Sequence, residues 1–193
     1  MNVYDFDQTI YTRDSTVDFY FFCLRRYPSI CRFIPTQLHG AIQLAMGRAD
    51  KTAFKQRFFT YYRGIPHLEA LAAVFWDSHE DGVKGWYRRQ QRPDDVVISA
   101  SPEFLLRPIC ARLGIKYLLA SRVDPGTGIY TGKNCDGQEK VRRFREAFPQ
   151  GAVDGFYSDS LSDTPLARIA RESYVVRGDT LIPWAEYESA KKR

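Results

Sequence analysis

Residues 2–9 of the chain have the sequence NVYDFDQT, a short apolar run that ends in two acidic residues. Such a run is typical of a buried β-strand, and the carboxylates stand where the strand is expected to end. Alternation along an extended segment sends Asp5 and Asp7 to the same side. Because α/β sheets bind ligands at the carboxyl ends of their parallel strands, this segment predicts where a site lies.

Four further apolar runs have the same character, and the stretches between them have helical periodicity. The predicted strands cover residues 3–6, 96–98, 117–120, 155–157 and 174–176. Helices are predicted over residues 102–113, 139–148 and 164–171. The sequence DPGTG at residues 124–128 predicts the tip of a β-hairpin. Short buried strands that alternate with helices predict an α/β fold with a parallel sheet.

Residues 13–86 differ from the rest of the chain, because they have helical periodicity and few strand signals. We interpret them as a helical domain inserted after the first strand, which leaves residues 1–12 and 87–193 for the sheet domain. Residues 27–47 are apolar, so they either pack inside the inserted domain or form an interfacial helix pair that touches a membrane. Pro35 interrupts any single helix there. The tail, residues 190–193, is predicted to fray.

The 193 residues suffice for one core with a small inserted domain, and the net charge of +5 favours anionic partners in general. The arginines are scattered and no nucleic-acid motif accompanies them, so no nucleic-acid partner is expected. No run approaches the roughly 18 apolar residues of a membrane span, and no secretory signal is visible. We therefore expect a cytoplasmic monomer or homodimer. Its four cysteines lack zinc-ligand spacing and are expected to be reduced and buried.

The acidic pair has a chemical interpretation. Two carboxylates as close as Asp5 and Asp7 repel each other unless a cation or a proton lies between them. Mg²⁺ supplies that charge and prefers hard oxygen ligands. Asp5 is then a candidate nucleophile toward phosphorus, and Asp7 protonates the leaving oxygen, later deprotonates the attacking water and offers its backbone carbonyl to the metal. The alternative is an Asx turn at a strand end.

Two later segments are candidates for holding a phosphate group. Ser99 and Ala100 follow the second strand, where a hydroxyl and free backbone N–H groups at a helix start hold phosphate oxygens. The alternative is a serine that only caps the helix. Lys140, in NCDGQEK, is placed to neutralise charge in a transition state. The alternative is an ordinary surface lysine.

A second acidic pair, Asp159 and Asp163 in SDSLSD, follows the fourth strand. Asp159 is the candidate metal ligand beside Asp5 and Asp7, whereas Asp163 holds a metal-bound water or orients Lys140. The alternative is a helix N-terminus that carries carboxylates. The order of the segments (acid pair, serine, lysine, acid pair) favours one shared site.

In these four segments and their order the sequence resembles the haloacid dehalogenase-like (HAD) superfamily, in its phosphoserine-phosphatase-like branch (subfamily IB). DFDQT, VVISAS, NCDGQEK and SDSLSD match the four motifs of that family, with Asp5 as nucleophile and Asp7 as acid and base. The resemblance spans residues 3 to about 177. It implies a Rossmann-like core, a small helical cap, Mg²⁺ dependence and a phosphoaspartyl intermediate.

The departures from the family pattern concern the substrate. Gln8 and Ser162 stand where a small residue and an asparagine are common. Asp14 stands where phosphoserine phosphatases place a glutamate that contacts the substrate, which implies a contact with substrate or cap. Arg48 and Arg57 are nearby candidates for the arginine that binds the substrate carboxylate. The segment FYSDSLSDTPL is also similar to phosphatidylglycerophosphatase C.

Residues and resemblance together predict a Mg²⁺-dependent phosphatase that acts on a small phosphorylated substrate, with a lipid phosphate as one candidate. Three alternatives stay open at this point. They are a phosphotransferase, a lipid-phosphate phosphatase at the membrane surface and a non-catalytic phosphate-binding module.

Overall fold

Six strands form one sheet in the computed structural model, which describes residues 1–191. The order is β3-β2-β1-β4-β5-β6; β1 to β5 are parallel, and β6 pairs with β5 in the antiparallel sense. The strands are β1 (Asn2–Tyr4), β2 (Val96–Pro102), β3 (Tyr117–Ser121), β4 (Val153–Ser158), β5 (Ala170–Arg177) and β6 (Thr180–Pro183). The predicted α/β class with a Rossmann-like parallel sheet is confirmed.

Helices cover both faces of the sheet. They are α1 (Ser15–Arg26), α2 (Ile34–Ala45), α3 (Lys51–Phe58), α4 (Leu68–Asp77), α5 (Gly85–Gln90), α6 (Glu103–Arg112), α7 (Gln138–Ala147), α8 (Thr164–Ala167) and α9 (Trp184–Lys191). Shorter helical turns span Phe6–Ile10, Pro28–Phe33, Phe59–Gly64, Glu80–Gly82 and Leu161–Asp163.

Alternation along the strands divides the apolar side chains between two layers. Tyr4 and Val97 point to the face that α1, α4, α5 and α6 cover. Val3 and Val96, their neighbours along the strands, point to the opposite face, which α7, α8 and α9 cover. The sheet is therefore buried on both sides, as its nearly continuous apolar strands predict.

The strand order places the end of β1 at a change of direction. The chain runs from β1 through β2 to β3 on one side, and then crosses to β4 and β5 on the other side. Loops diverge at such a switch point and leave a crevice beyond the carboxyl ends of the strands. Asp5 directly follows β1, so it lies at this crevice.

Helices α2 and α3 form a hairpin in which the two helices pack closely. A Cβ at Gly40 of α2 would lie only 3.0 Å from the Arg57 Cβ of α3, so the small residue permits this packing. Helix α4, in contrast, packs on α6, where the Trp76 Nε1 donates to the Leu105 carbonyl at 2.7 Å. The division into residues 13–86 and the remainder stays a prediction.

The secondary structure differs from the sequence-based predictions at three places. The helix predicted over residues 164–171 ends at Ala167, because the chain from Ala170 onward pairs with β4 as β5. Strand β6 was missed, although the Gly178-Asp179 turn before it is a hairpin signal. The turn at residues 124–128 is confirmed by the hydrogen bond from the Gly128 N–H to the Asp124 carbonyl at 2.8 Å. Its arms, however, share a single isolated bridge rather than a ladder.

Cys23, Cys110 and Cys135 are buried as expected, but Cys31 is exposed, which corrects the prediction for that residue. The predicted frayed tail falls partly on residues 192–193, which lie outside the described residues. Helix α9 extends to Lys191. Across residues 1–191 none of the helices combines the length and the apolar character that crossing a membrane requires.

Candidate active site

A cavity of about 370 Å³ opens at the carboxyl ends of the central strands. All eight residues that the sequence predicts for the site border it: Asp5, Asp7, Asp14, Ser99, Ala100, Lys140, Asp159 and Asp163. They come from segments that are up to 158 residues apart in the chain, as from Asp5 to Asp163. The sheet therefore brings the predicted residues together, and their individual roles stay predictions.

The turn after β1 fixes Asp5. Its N–H continues the sheet ladder by donating to the Tyr157 carbonyl at 2.8 Å, and its Oδ1 accepts from the Phe6 N–H at 2.8 Å. Gln8 in the same turn has a φ of +56°, a left-handed conformation that a non-glycine residue rarely adopts. The buried Lys84 Nζ donates to the Gln8 carbonyl at 2.6 Å and holds this conformation.

Lys140 is buried, so the alternative of an ordinary surface lysine is wrong. Its position on α7 brings the Nζ to 3.2 Å from the Asp5 Oδ1 and 2.7 Å from the Asp163 Oδ2. The same Asp163 oxygen accepts from the Ser158 hydroxyl at 2.7 Å. Asp163 is 1% exposed and begins α8 without a side-chain cap bond. These contacts favour the predicted role of Asp163 in orienting Lys140 over the alternative of a carboxylate that only stands at a helix N-terminus.

Two hydrogen bonds orient the Asp7 carboxylate. The Ser15 N–H, at the start of α1, donates to its Oδ1 at 2.7 Å, and the Ser101 hydroxyl donates to its Oδ2. Ser101 in turn lies 3.0 Å from the hydroxyl of Thr16. An Asx turn that involves only neighbouring backbone groups does not explain these contacts, because Ser101 belongs to β2.

The site has strongly perturbed carboxyl groups. Burial raises the pKa of Asp5 to about 8; the attraction of Lys140 opposes this shift, and the charges of Asp163, Asp7 and Asp159 add to it. Burial also raises the pKa of Asp159, with Asp163 adding to the shift. Asp5, Asp7, Asp159 and Asp163 share one buried cation, Lys140, so full ionisation of these carboxyl groups requires further positive charge nearby.

The pKa of Asp7 is raised as well, but less than that of Asp5. Burial raises it to about 6, and the charge of Asp14 adds to the rise, while the hydrogen bonds from Ser101 and Ser15 oppose it. A group with such a pKa both donates and accepts a proton near neutral pH, as a general acid and base must.

The fourth predicted segment places Asp159 beside the turn after β1. The Asp159 N–H donates to the hydroxyl of Thr9 at 3.0 Å, which joins the end of β4 to that turn. Asp159 therefore shares the cavity edge with Asp5 and Asp7.

These residues suit a hard divalent cation. Neighbouring carboxylates that raise one another's pKa are a ready counter-charge for Mg²⁺. Within residues 1–191, no group of three or more His, Cys, Asp or Glu side chains is arranged as a preformed metal site. Mg²⁺ commonly keeps several waters and binds through one or two carboxylates, so the carboxylates of Asp5 and Asp159 with the backbone carbonyl of Asp7 are a fitting donor set.

Ser99 lies inside β2 rather than at a helix start, so it is not the cap of α6; Pro102 holds that position. The Ser99 hydroxyl is buried and accepts from the Ser101 N–H at 3.1 Å. Asp14, by contrast, caps α1, where its Oδ1 accepts from the Val17 N–H at 3.0 Å. Asp14 therefore has a structural role as the N-cap residue of α1, although its side chain also borders the cavity.

The cavity wall opposite the sheet comes from α3, which sequence reasoning missed. Lys51, Phe54, Lys55 and Phe58 follow one another at spacings of three, one and three residues, so they share a helix face, and all four line the cavity. The Lys55 Nζ donates to the Ala100 carbonyl at 3.2 Å and so bridges α3 to β2. The helical spacing of these residues was the signal available in the sequence.

The two arginines proposed for a substrate carboxylate lie elsewhere. Neither Arg48 nor Arg57 belongs to the described lining of the cavity. Arg48 is exposed in the loop before α3, and the Arg57 side chain packs on Gly40 of α2. Lysines of α3 stand at the cavity instead.

With this geometry established, comparison with known proteins identifies the family. The family model of haloacid dehalogenase-like hydrolases matches residues 3–168. The chain belongs to the haloacid dehalogenase-like hydrolase family. It is therefore an enzyme of the hydrolase class, as predicted.

Individual relatives and solved structures are also similar to this chain. A histidinol-phosphatase of Neisseria meningitidis is 26% identical over 169 residues, which cover 80% of this chain and 72% of the relative. A Bordetella pertussis protein of unknown function has a similar fold, with a TM-score of 0.76, 18% identity and coverage of 100% and 95% of the two chains. A phosphoserine phosphohydrolase-like protein of Francisella tularensis follows, with a TM-score of 0.58, 14% identity and coverage of 91% and 87%. The predicted membership of the HAD superfamily is confirmed, and the fold is similar to that of a phosphoserine phosphohydrolase-like protein.

Proposed function

We propose that this HAD hydrolase is a Mg²⁺-dependent phosphatase that acts in the cytoplasm on a phosphate monoester through an aspartyl-phosphate at Asp5. The observation that supports this most directly is the convergence of Asp5, Asp7 and Lys140 on one cavity. The Lys140 Nζ lies 3.2 Å from the Asp5 Oδ1 at the carboxyl edge of the sheet. A buried lysine beside a solvent-reachable carboxylate suits attack on an anionic group.

In the first step, an Asp5 carboxylate oxygen attacks the phosphorus and the bond from phosphorus to the ester oxygen breaks. Asp7 gives its proton to that ester oxygen, so the alcohol leaves neutral. In the second step, Asp7 takes a proton from water while the water oxygen attacks the phosphorus. The bond from the Asp5 oxygen to phosphorus breaks, and inorganic phosphate and the free Asp5 carboxylate result.

Lys140 stays charged throughout this cycle. Burial lowers its pKa, but the charges of Asp163 and Asp5 outweigh that effect and raise it above the ordinary value. It therefore offers a fixed positive charge next to the Asp5 oxygen that attacks. Bound Mg²⁺, held by Asp5, Asp159 and the Asp7 carbonyl, would neutralise the charge of the phosphoryl group.

The leaving alcohol faces α3 in this proposal. Lys51 and Lys55 give that wall positive charge, and Phe54 and Phe58 give it apolar surface. This combination suits an alcohol that carries both an apolar part and an anionic group. Because one relative is named a histidinol-phosphatase, histidinol phosphate belongs in the substrate screen beside phosphorylated amino acids, sugars and lipid head groups.

The first test uses p-nitrophenyl phosphate, with Mg²⁺ and with excess chelator. Turnover that requires Mg²⁺ is expected, and Asp5→Asn is expected to lower it at least about 10⁴-fold, because the amide is a poor nucleophile. Asp18→Asn, a carboxylate of α1 that does not line the cavity, is the matched control. Metal-independent turnover, or full activity of Asp5→Asn, would contradict the proposal. Product analysis with an added alcohol distinguishes hydrolysis from phosphotransfer.

A further inference from the structure

Helix α2 carries an exposed apolar face that no part of the described chain covers. Leu38, Ile42 and Met46 are 59%, 56% and 52% exposed. Their spacing of four residues places them in one row along the helix, about 12 Å long at 1.5 Å per residue. The buried residues of α2, Gln37 and Gly40, lie on the opposite face, which packs on α3.

The exposed face also lacks charge. No Asp, Glu, Lys or Arg occurs between residues 33 and 47, so the row is flanked by small and uncharged side chains. A solvated helix face in a globular protein normally carries charged residues. A half-exposed row of Leu, Ile and Met on an uncharged helix is therefore a candidate interaction surface.

The segment of chain that contains this row is strongly basic. Residues 25–63 contain eight Lys or Arg and one acidic residue, a net charge of +7, whereas the whole chain has +5 and the remainder is therefore −2. Within residues 1–191, none of these eight side chains forms an ion pair with a carboxylate. The exposed ones are Arg25, Arg26, Arg32, Arg48, Lys51 and Arg63.

We propose that the exposed face of α2 docks on an anionic lipid bilayer surface, with Leu38, Ile42 and Met46 inserted at the interface and the surrounding basic residues against lipid head groups. Helices with a narrow apolar row and basic surroundings lie in the plane of such an interface. Each lysine or arginine near an anionic leaflet adds attraction, so the exposed arginines of this segment complement such a surface. A second copy of this chain fits less well, because two segments of like net charge repel each other.

Docking through α2 would also orient the enzyme. Helix α3 packs on α2 and lines the cavity with its other residues, so the cavity wall lies one helix away from the proposed lipid contact. The docking proposal itself is independent of the proposed function, since the three apolar residues do not line the cavity.

The test is co-sedimentation of the purified full chain with vesicles. Vesicles of phosphatidylcholine alone are compared with vesicles that contain about 30% phosphatidylglycerol, at 0.1 M and 0.5 M salt. We expect binding to the anionic vesicles, a loss of at least about tenfold in affinity at the higher salt, and little binding to the neutral vesicles. The variant Leu38→Gln/Ile42→Gln/Met46→Gln is expected to weaken binding about tenfold or more.

Two controls keep the result interpretable. Val74→Gln/Ile129→Gln removes apolar side chains that are 38% and 47% exposed outside α2, and its binding is expected to equal that of the wild type. Circular dichroism and hydrolysis of p-nitrophenyl phosphate report whether the α2 variant is folded, and both are expected to be unchanged. A chain that binds vesicles without turnover keeps the docking proposal and loses the proposed function.

Three results would overturn the docking proposal. They are the absence of binding to anionic vesicles, equal binding of the wild type and the α2 variant, and binding that does not depend on phosphatidylglycerol. Light scattering after size exclusion is run on the same samples. A dimer that the α2 variant converts to monomer would assign this face to a second copy instead.

Discussion

The two walls of the cavity are built in different ways. On the sheet side, Asp7, Lys140 and Asp163 are held by hydrogen bonds or ion pairs to other elements. On the α3 side, Lys51 is exposed, and the Lys55 side chain has a single hydrogen bond within residues 1–191, to the Ala100 carbonyl. Side chains held by several contacts are suited to positioning the reacting atoms, because small displacements there lower the reaction rate. Side chains with few contacts are suited to binding a leaving group that varies between substrates. We therefore expect substitutions on the two walls to have different kinetic effects.

The largest effect is expected for Lys140→Met on the sheet side. The substitution removes the charge next to Asp5 and leaves Asp163 buried without its cation. Turnover should fall about 10³-fold, and the free energy of unfolding should fall by about 3 kcal/mol, since breaking a buried pair leaves an uncompensated charge. Kinetics on p-nitrophenyl phosphate and urea denaturation measure the two effects.

The double variant Lys140→Met/Asp163→Leu separates catalysis from stability. Removal of the orphaned carboxylate should restore much of the stability but none of the activity. Lys116→Met, at an exposed lysine, is the control. Wild-type turnover in Lys140→Met would contradict a catalytic role for this lysine.

An intermediate effect is expected for Ser101→Ala. The Ser101 hydroxyl donates to the Asp7 Oδ2, so its loss leaves the carboxylate with the Ser15 N–H alone as a described partner. The value of kcat should fall roughly tenfold to a hundredfold, because the acid and base is less well oriented, and KM should change little. Ser78→Ala, at the C-terminal end of α4, serves as the comparison, and equal losses in both variants would show that Ser101 has no specific role.

A smaller effect is expected for Lys55→Met on the α3 side, mainly on the KM for a substrate whose leaving group carries an anionic group. Lys55 borders the cavity as a partly exposed charge, so its attraction for an anionic leaving group is worth up to about 1 kcal/mol, or about fivefold in KM. Hydrolysis of p-nitrophenyl phosphate, whose leaving group lacks a second anionic group, should hardly change. Arg48→Met is the matched control, because Arg48 is not part of the described cavity wall. A kcat loss as large as that of Lys140→Met would abolish the distinction between the walls.

A last effect, on stability alone, is expected away from the cavity, at Asp95 before β2. Burial raises the pKa of Asp95 to about 6, whereas an unfolded aspartate has a pKa near 3.9. A carboxyl group with a raised folded-state pKa costs stability as the pH rises above the unfolded value, and the cost is complete above the folded value. Asp95→Asn should therefore raise the free energy of unfolding by about 1 kcal/mol at pH 7.5 and by little at pH 4.

Urea denaturation at the two pH values checks this prediction. Asp94→Asn, whose side chain is 58% exposed, is the control and should show little change at either pH. A gain from Asp95→Asn that is equal at both pH values would show that the charge of Asp95 is not the cause.

The sequence predicted the sheet wall far better than the α3 wall. Residues at strand ends are located by the sheet itself, so apolar runs followed by Asp5, Ser99 and Asp159 suffice to bring those positions together. The burial of Lys140 was not predictable in the same way, because it depends on Asp163 and Asp5, which reach it only in the folded chain. For this reason an ordinary surface lysine had remained an alternative.

The sequence predicts residues 13–86 only in outline. Their helical character follows from periodicity, but which residues face the cavity depends on how α2 and α3 pack. Gly40 lets Arg57 pack against α2, which turns Lys51 and Lys55 toward the cavity and takes Arg57 away from it. Strand β6 and the early end of α8 likewise depend on pairing with β4 and β5, partners that a local pattern does not identify.

The central claim is that Asp5 receives the phosphoryl group, and rapid-quench trapping tests it most directly. The enzyme is mixed with substrate and Mg²⁺, quenched in acid within milliseconds and digested for mass spectrometry. The account predicts a phosphoryl group on the peptide that contains Asp5, its release by hydroxylamine, and its loss in Asp5→Asn. Turnover with the phosphoryl group on another residue, or turnover retained in Asp5→Asn, would contradict the account.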